Sequence, residues 1–167
     1  MVEPQYGDVI CVNQGIYNHF GIFVDKEHVI HYSGKDKDFF LRQMVIDETD
    51  MENFLGGSNK YYVYKFSKDK SNYVERVRAA GLDRDLVDGA QALYFLYQIK
   101  NKIRFRIYSP EETVKRARSR IGERKFLLPS NNCEHFAMWC KTGVRQSYQV
   151  NLVLKAVFLK MQIDIKY

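Results

Sequence analysis

Two apolar runs separated by only three polar residues constrain the fold of this chain more than any other feature. The runs are His19–Val24 (HFGIFV) and His28–Tyr32 (HVIHY), and Asp25–Glu27 lies between them. Strands joined by so short a connection pair antiparallel, because a parallel crossover needs about a dozen residues or more. The pattern therefore predicts a β-hairpin.

The length of the turn decides where two histidines of this hairpin lie. With a three-residue turn, Gly21 pairs with His31, so that His19 and His31 share one face as diagonal neighbours. A two-residue turn would place the two imidazoles on opposite faces. Gly21 has no side chain and is expected to leave room for the His31 ring. The other face carries apolar residues that we expect in the core: Phe20, Ile22, Val24 and Ile30.

Further β-rich runs extend the hairpin into a sheet. They are Asp8–Asn13, Lys60–Phe66 and Ile103–Tyr108, and Asn53–Asn59 supplies turn residues before the second of them. The first third of the chain is therefore β-rich, whereas helix signals dominate later.

A complete set of start signals predicts a helix after the last of these runs. Ser109 suits the N-cap, Pro110 the first helical position, and Glu112 can close a capping box. Gly122 is the expected end of the helix. The helix is basic, and its cations form either a solvated face or a contact for anionic lipid or another polyanion. They are Lys115, Arg116, Arg118 and Arg120.

Length and composition favour one domain over residues 1–167. The chain has 167 residues, of which 46% are hydrophobic, and a net charge of +6, which favours anionic partners without identifying one. Residues 67–101 are charged and then helix-like, and we treat them as a candidate insertion. Residues 151–167 form an amphipathic segment whose apolar stretch, interrupted by Lys155 and Lys160, falls short of the ~20 residues that span a bilayer.

The cysteines indicate a reducing compartment. There are 3, an odd number without a close pair, so neither a disulfide framework nor a four-cysteine metal site is supported. No signal peptide is visible, and a cytoplasmic protein is expected. Cys11 and Cys140 lie in apolar surroundings and are predicted to be core residues.

Cys133 carries the strongest chemical signal. Asn132 is a good N-cap for a helix that Gly143 would end, so Cys133 lies in the first turn. Unsatisfied N–H groups and the helix dipole stabilise a thiolate there, and we expect them to lower the pKa of the thiol. The cysteine shares a helical face with Phe136 and Ala137, which directs its side chain towards the protein interior.

A nucleophilic thiol needs a base, and the histidine pair of the hairpin supplies the candidates, His19 and His31. His135 follows Cys133 on the same helix and points about 200° away from it. His28 lies at the turn, where we expect it to be solvated. A zinc site built from Cys133 and the histidine pair stays open as an alternative, although the spacing matches no metal motif.

Two segments together reveal a family resemblance. GDVICVNQGIYNHFGIFVDKEHVIHYSG is followed about a hundred residues later by NNCEHFAMWCKTG. The chain resembles the lecithin:retinol acyltransferase-like (LRAT domain) family, which includes the phospholipase A/acyltransferases, from about Tyr6 to Gly143. The resemblance implies a permuted papain-like α+β fold, in which an antiparallel sheet packs on a cysteine-bearing helix.

The resemblance also implies residue roles. Cys133 would be the nucleophile, His19 the general base and acid, and His31 the residue that orients and polarises His19. Family members attack an ester carbonyl of a phospholipid, form an acyl thioester on the cysteine, and pass the acyl group to water or another acceptor. The Cys133 backbone N–H could hold the oxyanion. The Tyr17 hydroxyl is either a second donor or part of an aromatic side chain that packs at the entrance of the strand.

These observations predict an enzyme of lipid metabolism, a thiol acyltransferase or phospholipase A-type acyl hydrolase, that uses no metal or other cofactor. Its expected partners are a phospholipid or other acyl ester and, peripherally, an anionic membrane surface, but not nucleic acid. Two rivals stay open. One is a cysteine peptidase or amidase of the same superfamily, and the other is a non-catalytic interaction module that keeps the fold.

Overall fold

An antiparallel sheet forms the centre of the protein. The computed structural model describes residues 3–15, 17–34, 44–66, 74–78 (backbone only), 106–145, 147 and 149–150. Within these ranges six strands pair in the order β4-β3-β2-β1-β5-β6, every neighbour antiparallel. The strands are β1 (Val9–Asn13), β2 (Asn18–Phe23), β3 (Val29–Ser33), β4 (Val45–Thr49), β5 (Tyr61–Phe66) and β6 (Val74–Arg78).

The β2–β3 hairpin has the predicted register. Gly21 pairs with His31 and Phe23 pairs with Val29, which confirms the three-residue turn. One apolar face of the hairpin lies in the main core, also as predicted, through Phe20, Ile22, Val24 and Ile30.

Helices cover both faces of the sheet. The main core lies between one face and two helices, α2 (Pro110–Arg118) and α3 (Cys133–Thr142). A short helix, α1 (Met51–Leu55), covers the other face, where Phe54 is buried in a second apolar cluster. The sequence did not predict β4 or α1, and α1 takes up the first three residues of the turn expected at Asn53–Asn59.

The cap signals of the two longer helices were predicted well, with one correction. Ser109, Pro110 and Glu112 start α2 through a capping box, as expected. However, α2 ends at Arg118, four residues before the predicted stop at Gly122. Gly122 lies in the following turn with a φ of 88°, and its N–H donates to the Ile46 carbonyl of β4 at 2.8 Å. Its positive φ therefore serves a turn onto the sheet and not the helix end.

Asn132 and Gly143 bound α3 as the sequence predicted. The Asn132 side chain accepts a hydrogen bond from the His135 N–H at 3.0 Å. Gly143 adopts a φ of 77° and donates its N–H to the Trp139 carbonyl at 2.9 Å. These caps fix Cys133 as the first residue of the helix.

The strand predicted at Ile103–Tyr108 is wrong over its described part. Residues 106–108 have no regular secondary structure. The Tyr108 N–H donates to the carbonyl of Lys141 at 2.9 Å, near the end of α3, so this segment is held by a helix and not by a strand ladder. In the candidate insertion, β6 pairs with β5 and belongs to the sheet. The rest of residues 67–101, and residues 151–167, lie outside the described residues.

Three of the four cations that the sequence placed on the basic helix make contacts within the chain, and one of the three, Arg120, lies beyond the end of α2 at Arg118. Arg116 lies 3.9 Å from the centre of the Trp139 ring, and Arg118 pairs with Glu48 at 2.8 Å. Arg120 is buried and pairs with Glu123. A solvated or lipid-facing role is therefore wrong for Arg120, because its charge is satisfied inside the protein.

Candidate active site

The two histidines of the hairpin are in direct contact. His19 Nε2 lies 2.8 Å from His31 Nδ1, and the two residues are only 7% and 2% exposed. Because β2 and β3 pair with the three-residue turn, both side chains leave the same face of the sheet. The predicted histidine pair is thus a hydrogen-bonded unit that is largely shielded from solvent.

Thr49 continues the hydrogen-bond chain. Its hydroxyl oxygen lies 3.2 Å from the Asp50 carbonyl and 2.8 Å from His31 Nε2. In the arrangement where this hydroxyl donates to the carbonyl, it accepts from His31 Nε2–H, and His31 Nδ1 is left as an acceptor. In the same arrangement His19 donates from Nε2, and its neutral ring carries the lone pair on Nδ1.

Phe54 of α1 supports both imidazoles. The centre of its ring lies 5.3 Å from that of His19 and 5.4 Å from that of His31. A Cβ at Gly21 would lie 2.9 Å from Phe54 Cε2 and 2.8 Å from Val29 Cγ1. The atoms nearest to such a Cβ thus belong to Phe54 and Val29, and the room expected here for the His31 ring stays a prediction.

Burial keeps His31 neutral. Desolvation lowers the pKa of His31 to about 4, although the carboxylates of Asp47 and Asp50 act in the opposite direction. At neutral pH an uncharged His31 ring can accept a hydrogen bond on Nδ1 from the Nε2–H of His19. Burial of His31 therefore favours the uncharged ring that this hydrogen bond needs.

Cys133 lies where β2 begins. Its Sγ is 3.7 Å from the carbonyl oxygen of Asn18, the residue before His19. The apolar side of α3 packs on the sheet face opposite the histidine pair, and Cys133 lies at the start of β2. The structure thus brings the thiol to the residue that adjoins His19.

The resting thiol is protonated. Cys133 is 5% exposed, and burial raises the pKa of its thiol to about 12, although backbone N–H groups at the start of α3 oppose this change. The predicted lowering of the thiol pKa by the helix N-terminus is therefore wrong for the resting protein, because desolvation of the thiolate outweighs the helix. Chemistry at this sulfur needs a base.

Gln149 joins the start of β2 to the segment after α3, a contact that the sequence did not predict. Its Nε2 donates to the Asn18 carbonyl at 2.9 Å, and the Asn18 N–H donates to its Oε1 at 2.6 Å. The buried carboxylate of Glu134 accepts from the Gln149 N–H at 3.1 Å and from the Ser147 hydroxyl at 2.6 Å. This network fixes Asn18 beside Cys133.

The remaining candidates have structural or peripheral places. His135 is buried, with Nδ1 2.9 Å from Asn132 Oδ1, and burial lowers its pKa to about 4. His28 is half-exposed and bonds to Asp25, as predicted for a turn residue. Tyr17 is half-buried in the turn before β2. The other two cysteines form no disulfide and are fully buried, which confirms their prediction as core residues: Cys11 and Cys140.

Neither a metal cluster nor a membrane-spanning helix is present in the described ranges. There, no three His, Cys, Asp or Glu side chains converge as metal ligands would, so the zinc alternative gains no support. No described helix has both the length and the apolar character needed to cross a bilayer.

Comparison with known proteins identifies the family. The lecithin retinol acyltransferase family model matches residues 2–146, and the chain belongs to this family. Phospholipase A and acyltransferase 3 from Mus musculus is 26% identical over 161 residues, which cover 93% of this chain and 81% of the relative. The Homo sapiens protein of that name is 26% identical over 160 residues, covering 92% of this chain and 80% of its own. Lecithin retinol acyltransferase from Mus musculus is 25% identical over 143 residues, which cover 86% of this chain and 56% of that relative.

Proposed function

We propose that this protein is a thiol acyltransferase or phospholipase A-type enzyme that takes an acyl group from a phospholipid onto Cys133. The observation that carries the proposal is the hydrogen-bond chain from His19 through His31 to Thr49, which begins beside the residue that the thiol contacts. The relatives named phospholipase A and acyltransferase, and lecithin retinol acyltransferase, support a lipid ester as the substrate.

In the first step, His19 takes the thiol proton on Nδ1 while Sγ attacks the ester carbonyl carbon. The carbonyl π pair moves to oxygen and gives a tetrahedral oxyanion. Because the thiol pKa is raised, proton transfer accompanies the attack and no thiolate is stored beforehand. The Cys133 backbone N–H would stabilise the oxyanion, with the Tyr17 hydroxyl as the second donor.

In the second step, the intermediate collapses and the carbon–oxygen bond of the ester breaks. His19, now an imidazolium, returns its proton to the leaving alkoxide, and the acyl thioester remains on Cys133. Water or another acceptor then loses its proton to His19 as it attacks the thioester, and the thiol is restored. His31 accepts the His19 Nε2–H throughout and so stabilises the imidazolium.

The proposal also includes the fold family and the cellular location of the protein. The histidine strands precede the cysteine helix along the chain, which is the order of a permuted papain-like fold. Its three cysteines form no disulfide, which suits the cytoplasm, and its contact with the membrane would be peripheral.

The test is intact-mass spectrometry after incubation with a short-chain phosphatidylcholine. We expect a single acyl adduct that hydroxylamine removes, as it does from thioesters, and no adduct on Cys133→Ser. His19→Ala should acylate at least about a hundredfold more slowly. Acylation by a peptide ester but by no phospholipid would favour the peptidase or amidase alternative. Absence of any adduct from either donor class would favour the non-catalytic module.

A further inference from the structure

The seven-residue loop Arg124–Ser130, which leads to the cysteine helix, exposes two adjacent leucines. Leu127 is 56% exposed and Leu128 is 49% exposed. Adjacent exposed leucines on a globular domain are typical of a binding surface rather than of ordinary protein surface.

Hydrogen bonds hold this loop in a shape that turns the leucines outwards. The backbone N–H of Asn131 donates to the Leu127 carbonyl at 2.7 Å, and the N–H of Ser130 donates to the same carbonyl at 3.1 Å. The side-chain amides of Asn131 and Asn132 donate to the carbonyls of Lys125 and Leu128 at 2.6 and 2.9 Å. Because the loop is ordered in advance, its leucines lose little backbone freedom when they bind.

The charges around the leucines identify the partner. Arg124 and Lys125 are exposed, and the loop has no acidic residue. The nearest acids along the chain are Glu123, which pairs with Arg120, and Glu134, which is buried. An apolar tip with a basic flank and no competing exposed carboxylate suits the interface of an anionic bilayer, where leucines enter the acyl boundary and cations meet phosphates.

The loop also stands next to the reactive end of α3. The Asn132 side chain both caps this helix and binds the Leu128 carbonyl, so the loop and Cys133 are held as one unit. We propose that Leu127 and Leu128 insert into the interface of an anionic phospholipid bilayer and set the Cys133 end of α3 against it. This inference rests on the proposed function only for the identity of the lipid that then enters the site.

The test measures vesicle binding in a Cys133→Ser background, where no acyl transfer can occur. Cosedimentation would use vesicles of phosphatidylcholine alone and of phosphatidylcholine with phosphatidylserine. We expect the double variant Leu127→Ser/Leu128→Ser to bind the mixed vesicles at least about tenfold more weakly than its parent. Lys125→Glu should weaken binding to the mixed vesicles but not to phosphatidylcholine alone.

Tyr6→Ser is the matched control. Tyr6 is 41% exposed and precedes Gly7, whose carbonyl accepts a hydrogen bond from Lys141 near the opposite end of α3. We expect this control to change vesicle binding less than about twofold, because it removes exposed apolar surface near the end of α3 that lies away from Cys133.

A second measurement keeps the proposal testable if the double serine variant folds poorly. Trp emission of Leu128→Trp should shift to the blue on mixed vesicles and be quenched by brominated lipid. Binding that is equal in the leucine variant and its parent, or a Leu128→Trp signal that vesicles leave unchanged, would overturn the proposal. If vesicle binding needs the leucines but the parent protein with its native Cys133 forms no acyl adduct with phospholipid, the proposed function is refuted and the interface stands.

Discussion

The substitution Thr49→Val tests whether the direction of the hydrogen-bond chain matters. Valine keeps the β-branched shape of threonine on β4 but cannot accept the Nε2–H of His31, which is 2.8 Å from the threonine oxygen. His31 is 2% exposed, so the lost partner leaves a buried donor unsatisfied. Such a loss costs about 1–3 kcal/mol, and the partial exposure of Thr49 favours the lower half of this range.

Two consequences follow from that cost. The free energy of unfolding should fall by about 1.5 kcal/mol, which lowers the melting temperature of a domain of this size by roughly 3–6 °C. His31 also loses the bond that fixes its tautomer, and a His31 that carries its proton on Nδ1 cannot accept from His19. Acylation of Cys133 should therefore slow by about tenfold to a hundredfold, since each 1.4 kcal/mol corresponds to a factor of about ten.

The assays are urea unfolding, the intact-mass acylation rate, and ¹⁵N NMR of the ring nitrogens of His19 and His31. Thr49→Ser is the control, because it keeps the hydroxyl and should preserve the tautomers and most of the rate. If Thr49→Val left both the ring-nitrogen spectrum and the acylation rate at the level of Thr49→Ser, the directed chain would have no role.

Three further predictions concern stability and positioning. The pKa of His31 is about 4 in the folded protein and 6.5 when unperturbed. Between these pH values the unfolded chain binds more protons than the folded protein, so His31 alone lowers the free energy of unfolding by about 2 kcal/mol from pH 7 to pH 5. In urea unfolding, the loss of stability between pH 7 and pH 5 should be about 2 kcal/mol smaller in His31→Gln than in the parent, and the loss that remains comes from His135, whose pKa burial also lowers to about 4. Gly21→Ala places a Cβ 2.9 Å from Phe54 Cε2 and should lower the free energy of unfolding by about 1–3 kcal/mol; an unchanged urea midpoint would contradict this packing. Gln149→Ala removes two hydrogen bonds to Asn18 and should slow acylation about tenfold; rates equal to the parent would show that this clamp does not position the site.

Local chemistry let the sequence predict the parts of the site that depend on short separations. The three residues between the apolar runs set the register that pairs Gly21 with His31, and the alternation of strand side chains then brought His19 to the same face. Cap residues worked equally well, because Asn132 and Gly143 act on backbone groups within a few positions of themselves. The family motifs added the prediction that Cys133 is the nucleophile.

Contacts between distant segments could be decided only by the tertiary structure. Thr49 lies 18 residues after His31, and Gln149 lies 131 residues after Asn18, so no periodicity links them. The thiol pKa of Cys133 shows the same limit. The sequence identified the helix start, whose N–H groups lower this pKa, but the larger opposing effect is the desolvation that the packed sheet and helices cause, which raises it. Capping is local and sequence-encoded, whereas burial depends on every segment that covers a group.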